Sequence, residues 1–97
     1  MTMSLAESCR NFRLQGAILI CECLLADGES YKTSWIDLDQ YIGIVGGNLA
    51  WHSKGFSEFC TDLRLEGTIF YAKHKKTGSE FSIDLAVKLR NDNGVLM

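Results

Sequence analysis

The sequence predicts a mostly β protein: two tandem repeats folded into one pseudo-symmetric body of short sheets and hairpins, with single helical turns between them. The first observation behind this is the repeat itself. Ser8-Cys9-Arg10-Asn11-Phe12-Arg13-Leu14-Gln15-Gly16 returns as Phe59-Cys60-Thr61-Asp62-Leu63-Arg64-Leu65-Glu66-Gly67 at an offset of 51, with Cys, Arg, Leu and Gly coinciding. Ile36-Asp37-Leu38 returns as Ile83-Asp84-Leu85, and Gly47-Asn48-Leu49 as Gly94-Val95-Leu96, both at an offset of 47. The second copy is therefore four residues shorter between His74 and Ile83 than the first is between Cys23 and Ile36. The second observation is a period of two in the apolar residues at the centre of each copy, the signature of a half-buried strand. The third is punctuation: with nine glycines and no proline, the turns must be built from Gly, Asn and Asp. A solenoid needs at least about three units to bury a continuous core, so two copies must share one.

Taken in chain order, the run opening at Cys9 leads into a strand whose core face carries Leu19, Cys21 and Cys23. Asp27-Gly28 then turns the chain into a second strand from Tyr31 to Ile36, closing a hairpin. Residues 37–44, ahead of the Gly46-Gly47 turn, suit a single helical turn too short to stand alone. Residues 51–56, with Ser53 and Gly55, form the hinge between copies. In the second copy Phe70, Ala72 and His74 take the core-facing places, Thr77-Gly78 makes the turn, and Glu80 to Ile83 returns. Residues 84–91 repeat the helical turn before Gly94. Trp35 is read as a core residue in preference to an exposed stacking surface for a ligand, and His52 as a solvated loop residue.

Composition narrows the function. The 97 residues carry a formal net charge of −2, with 46% hydrophobic and 23% charged positions, the make-up of one ordinary soluble domain. A chain of this length buries about 60 to 65% of its unfolded surface, enough for one core. The mild acidity gives no general attraction to phosphate backbones, so nucleic acid is disfavoured as a partner. No stretch reaches the roughly 18 apolar residues of a spanning helix, and a membrane partner is not expected. Met1 to Cys9 lacks a basic cluster and an apolar segment, which reads as a cytoplasmic or leaderless secreted protein. Lys73-His74-Lys75-Lys76, flanked by Tyr71 and Phe81, is read as the solvated tip of a hairpin whose lysines discourage edge pairing.

Ser8-Cys9-x-Asn11-x-x-Leu14-x-Gly16, then Leu19-x-Cys21-x-Cys23, Asp27-Gly28, Ile36-Asp37-Leu38-Asp39, Gly46-Gly47-x-Leu49 and Trp51, with a second copy opening at Phe56, resembles the cyanovirin-N homology lectins. The likeness covers essentially the whole chain and rests on order, spacing and duplication together. It implies a single domain, 1–97, shaped as an elongated body of two halves. Half A would combine about 1–38 with 89–97, and half B about 39–88. The resemblance also places Trp51 at a core or hinge tryptophan. The activity it implies is binding of mannose-rich glycans and glycoproteins, especially terminal α1,2-linked mannose, without catalysis and without a cofactor or metal. The assembly it suggests is mostly monomer, with a domain-swapped dimer through the hinge as the alternative.

Carried across residue by residue, the half-A site falls on Glu7, Ser8, Leu24, Ala26, Asn91, Asp92 and Asn93. The Asn91-Asp92-Asn93-Gly94 turn keeps nearly all of the family's polar chemistry there, while Leu24 and Ala26 stand where polar side chains are common. The half-B site is degenerate, because Ile44-Val45-Gly46-Gly47 removes both amide and carboxylate. Lys54, Glu58, Lys75, Lys76 and Thr77 are its polar candidates beside Ile44 and Gly46. A pyranose offers several hydroxyls that each donate and accept, so short polar side chains around a rigid cleft are the matching chemistry. The expectation is one weak site in half A; the alternative is a structural or interaction module that has kept the fold and lost sugar binding.

The resemblance pairs Cys9 with Cys23 as a disulfide, and puts His74 where the half-B partner of Cys60 would stand. The redox state of Cys9 and Cys23 is open: a cytosolic chain keeps thiols reduced, while oxidation across this separation would contribute about 3 kcal/mol. Cys21 is read as a small buried hydrophobe. Activation of Cys60 by His74 is disfavoured for want of a third orienting residue. A zinc site is disfavoured too, since Cys21-x-Cys23 lacks the usual gap of a zinc knuckle.

Overall fold

The computed structural model describes residues 2–97. Among the described residues, eleven short strands form four antiparallel sheets. β1 (Thr2–Ser4) pairs with β10 (Arg90–Asp92), which pairs with β11 (Val95–Leu96). β2 (Cys9–Gln15), β3 (Ile18–Leu24) and β4 (Tyr31–Asp37) make the second sheet, in order β2-β3-β4. β5 (Ile42–Val45) and β6 (Asn48–Trp51) form a hairpin. β7 (Cys60–Glu66), β8 (Ile69–His74) and β9 (Glu80–Asp84) make the fourth sheet, in order β7-β8-β9. The molecule is elongated, 46 × 21 × 16 Å.

The duplication is physical. Cys9 pairs with Cys23 in one sheet and Cys60 with His74 in the other. Each first strand carries a bulge, between Arg10 and Arg13 and between Thr61 and Arg64. The residue inside each bulge has a left-handed backbone, Asn11 at φ 55° and Asp62 at φ 54°, a conformation that short polar side chains tolerate best. Aspartates start the 3-10 turns Leu38–Gln40 and Leu85–Val87: Asp37 Oδ1 accepts the Asp39 N–H at 3.1 Å, and Asp84 Oδ1 the Ala86 N–H at 3.0 Å.

The core repeats in the same way. Leu5 and Phe56, Leu19 and Phe70, Cys21 and Ala72, Leu38 and Leu85, Ile42 and Leu89, and Leu49 and Leu96 are equivalent pairs, all buried. Phe56 meets Phe70 edge to face, ring centres 5.3 Å apart, a favoured aromatic geometry. Leu19, Cys21 and Cys23 do face this core, as do Phe70 and Ala72. His74 departs from its expected burial and is only half-buried.

Two further expectations need correction. Residues 37–44 and 84–91 are helical only over one 3-10 turn each; their second parts are strands β5 and β10. They pair because the glycine turns after them fold the chain back on itself. Trp35 is 65% exposed. It lies opposite Ile20 in the β3–β4 ladder, and the buried Ile36 next to it takes the inward place, so strand alternation sends the indole out. The α-helical turn α1 (Leu5–Ser8) and the 3-10 turn Phe56–Glu58 were not anticipated. They insert Leu5 and Phe56 into the core, at equivalent points of the two copies.

Candidate functional site

The Asn91-Asp92-Asn93-Gly94 segment closes the β10–β11 hairpin. Asn93 at φ 48° and Gly94 at φ 87° give the two consecutive left-handed residues that a tight hairpin of this twist requires. Strand alternation turns Asn91 inward, opposite Met3 and Leu96, where it is fully buried. Its amide is satisfied at both ends: Nδ2 donates to the Leu24 carbonyl at 2.9 Å, and Oδ1 accepts the Gly94 N–H at 2.8 Å. Asn93 Oδ1 accepts the Ala26 N–H at 2.9 Å. Gly94 sits so close that a Cβ there would collide with Leu25 Cδ2. On the far side of the hairpin the Leu96 N–H donates to Ser34 Oγ at 3.2 Å. The turn is therefore bolted to the loop that follows β3.

α1 packs beside β10 from the other end of the chain. Ser4 caps it by accepting the Glu7 N–H, leaving the Glu7 side chain exposed. Ser8 is buried, and its hydroxyl donates to the Ser4 carbonyl at 2.5 Å. Neither the Ser8 hydroxyl nor the Asn91 amide is presented to solvent, unlike the exposed polar groups the sequence reading expected there. Burial without partners would cost each group about 1 to 3 kcal/mol, which is why both are spent inside. Glu7, Ala26 and Asn93 remain exposed, and Leu24 and Asp92 are half-buried beside them.

The second-copy region is organised differently. Gly46 and Gly47 make the same kind of turn, at φ 62° and 81°, but a Cβ on either would meet nothing within 4 Å. Ile44 is half-buried against the core and has no amide to donate. The loop after β8 is shaped from within: His74 Nδ1 accepts the Lys76 N–H at 3.2 Å and the Thr77 N–H at 3.4 Å, and Thr77 Oγ1 accepts the Ser79 N–H at 3.2 Å. The Lys75 N–H donates to the Phe59 carbonyl at 2.9 Å. Glu58, Lys75, Lys76 and Thr77 are exposed. Lys54 lines a separate groove of about 590 Å³ with Gln40, Tyr41, Trp51, His52, Ser53, Lys88, Leu89 and Met97.

Cys60 is buried, which pushes its thiol up against a smaller opposing effect of the Lys75 charge. His74 Nδ1 is already taken up by the Lys76 and Thr77 N–H groups. This is the opposite of an activated nucleophile.

A match to the CVNH domain spans residues 5–97. The chain belongs to the CVNH family. A cyanovirin-N homolog of Tuber borchii is 38% identical over 103 residues, covering 98% of both chains. The solved T. borchii CVNH structure superposes on this fold with a TM-score of 0.82, again at 38% identity and with 98% of each chain covered. A designed cyanovirin-N homolog lectin is 33% identical, with 98% of each chain covered and a TM-score of 0.84. Microvirin, solved as a complex with mannobiose, shares the fold at 24% identity and a TM-score of 0.75, over 97% of this chain and 96% of its own. CVNH proteins are carbohydrate-binding lectins and not enzymes.

The sequence marked Asn91 and Asn93 as polar groups available to a sugar; in the structure both side chains hold the loop, Asn91 buried and Asn93 exposed. The signal for this was present in the alternation Arg90, Asn91, Asp92, which turns the middle residue opposite to its neighbours.

Proposed function

We propose that this CVNH protein binds mannose-rich oligosaccharides, with terminal α1,2-linked mannose as the preferred unit, at one site between α1, the loop after β3 and the 91–94 turn. The observation that carries the reading is the double anchoring of that loop by Asn91 and Asn93. A sugar competes with water for every hydrogen bond, each bond nets only about 1 kcal/mol, and a cleft already held in shape loses less on binding. In this reading Glu7, Asp92 and Asn93 face the sugar, together with backbone groups around Leu24 and Ala26, while Ser8 and Asn91 position them. Affinity lies between millimolar and micromolar, about −4 to −8 kcal/mol. Binding is by the monomer, with half A (about 1–38 and 89–97) carrying the site and half B (about 39–88) silent.

Titration with α1,2-mannobiose followed by amide chemical shifts tests this. Shifts should cluster at Glu7, Leu24 to Ala26 and Asp92 to Gly94. Shifts at Glu58, Lys75 and Thr77 with the 91–94 turn unmoved would reject the site, and a blank glycan array would favour a module that has lost sugar binding.

A further inference from the structure

Cys9, Cys21 and Cys23 lie on strands and not on a knuckle-type loop. Cys21 and Cys23, two apart on β3, share one face, and Cys9 stands across from Cys23 on β2. Their sulfurs converge: Cys9 Sγ lies 3.0 Å and Cys21 Sγ 3.6 Å from Cys23 Sγ, with all three within 4.8 Å of one another. All three residues are buried, Cys21 and Cys23 completely. The second copy has no counterpart, since Cys60, Ala72 and His74 occupy the equivalent places.

We propose that the reduced protein captures a soft trivalent centre of the arsenite class through the sulfurs of Cys9, Cys21 and Cys23. Three thiols and one arsenous acid give one arsenic bonded to three sulfurs and three waters; the three thiol protons leave with the three hydroxyls, and nothing is oxidised or reduced. Two arguments select this class. Zinc is held by four ligands at about 2.3 Å, which spreads its sulfurs to about 3.8 Å and needs a fourth donor; among the described residues this cluster offers three. A pyramidal trivalent centre takes three and holds them closer together. The product is also neutral, whereas three thiolates around a monovalent or divalent cation would leave net negative charge in an apolar core.

Cys9, on the edge strand and 7% exposed, is the member of the trio that solvent reaches first, whereas Cys21 and Cys23 are fully buried. A Cys9–Cys23 disulfide and the trivalent centre exclude each other, so capture belongs to the reduced state alone.

The test uses the whole chain reduced with a phosphine, so that no added thiol competes, then exposed to arsenite and examined by native mass spectrometry. One arsenic should be retained per chain with loss of three protons. Cys60→Ser should bind equally well. Cys21→Ala, which installs the residue that the second copy carries at position 72, should keep the fold and bind at least about tenfold more weakly, because one arm of the chelate is gone. Protein with Cys9 and Cys23 oxidised should bind none. Reduced protein that takes up no arsenic, a Cys21→Ala variant as tight as the parent, or displacement of arsenic by equimolar zinc would each overturn the proposal.

Discussion

The 91–94 turn and the 44–47 turn are the same hairpin drawn twice, and they have different relations to the rest of the chain. The first reaches across the molecule to the loop after β3, through Asn91 to Leu24 and Asn93 to Ala26. The second, with Ile44 and Gly46 in those places, makes neither bond, and the loop after β8 folds instead around His74. Backbone conformation is conserved between them while the side-chain ties are not. Among the described residues, the first region ties its turn to the neighbouring loop by these two side-chain bonds and the second does not.

The strongest way to break the comparison is to remove the buried tie. Asn91→Ala should leave the Leu24 carbonyl and the Gly94 N–H without partners, at a cost of about 2 to 4 kcal/mol in urea denaturation, and should abolish mannobiose binding. Unchanged stability would mean that water or a shifted backbone replaces the amide. The next test makes the second region resemble the first at the base of its loop. Because Cys60 and His74 are paired as Cys9 and Cys23 are, oxidised Cys60 with His74→Cys should form a disulfide. The bridge should add up to about 3 kcal/mol, less what the His74 hydrogen bonds contributed. Failure to form it under mild oxidation would show that the two registers differ in solution.

Asn93→Gly converts the first turn into the second while keeping a residue that accepts the left-handed backbone. Loss of the bond to Ala26 should weaken mannobiose about fivefold to tenfold, close to 1 kcal/mol, with little change in melting. Glu58→Ala, in the second region, should leave affinity unchanged; a comparable loss there would place binding in the wrong half. The smallest effect is expected from the reverse exchange. Gly46→Asn, tolerated at φ 62°, should raise amide-exchange protection at Thr77 by no more than a few-fold if its side chain acts as Asn93 does.

Much was legible before any coordinates. The repeat gave the equivalence of the two Ile-Asp-Leu turns and of the glycine hairpins, because these depend on residues close in sequence and on alternation, and the family resemblance set His74 at the place of a partner to Cys60. Alternation also contained the outward place of Trp35, which a preference for burying tryptophan overrode. Three features depended on residues distant in the chain or brought together across strands. Asn91 and Asn93 bond to Leu24 and Ala26, each 67 residues away, and no local pattern says whether a polar turn faces solvent or another loop. The inserted turns that bury Leu5 and Phe56 are too short to show a helical period. The three sulfurs meet only because a pleated strand puts positions 21 and 23 on one face and strand pairing sets position 9 opposite. Sequence by itself determined the period, the turns and the duplication, since these are local energetics repeated. Tertiary structure alone decided which polar groups are spent inside and which stay exposed, since that depends on what the folded chain packs against each turn.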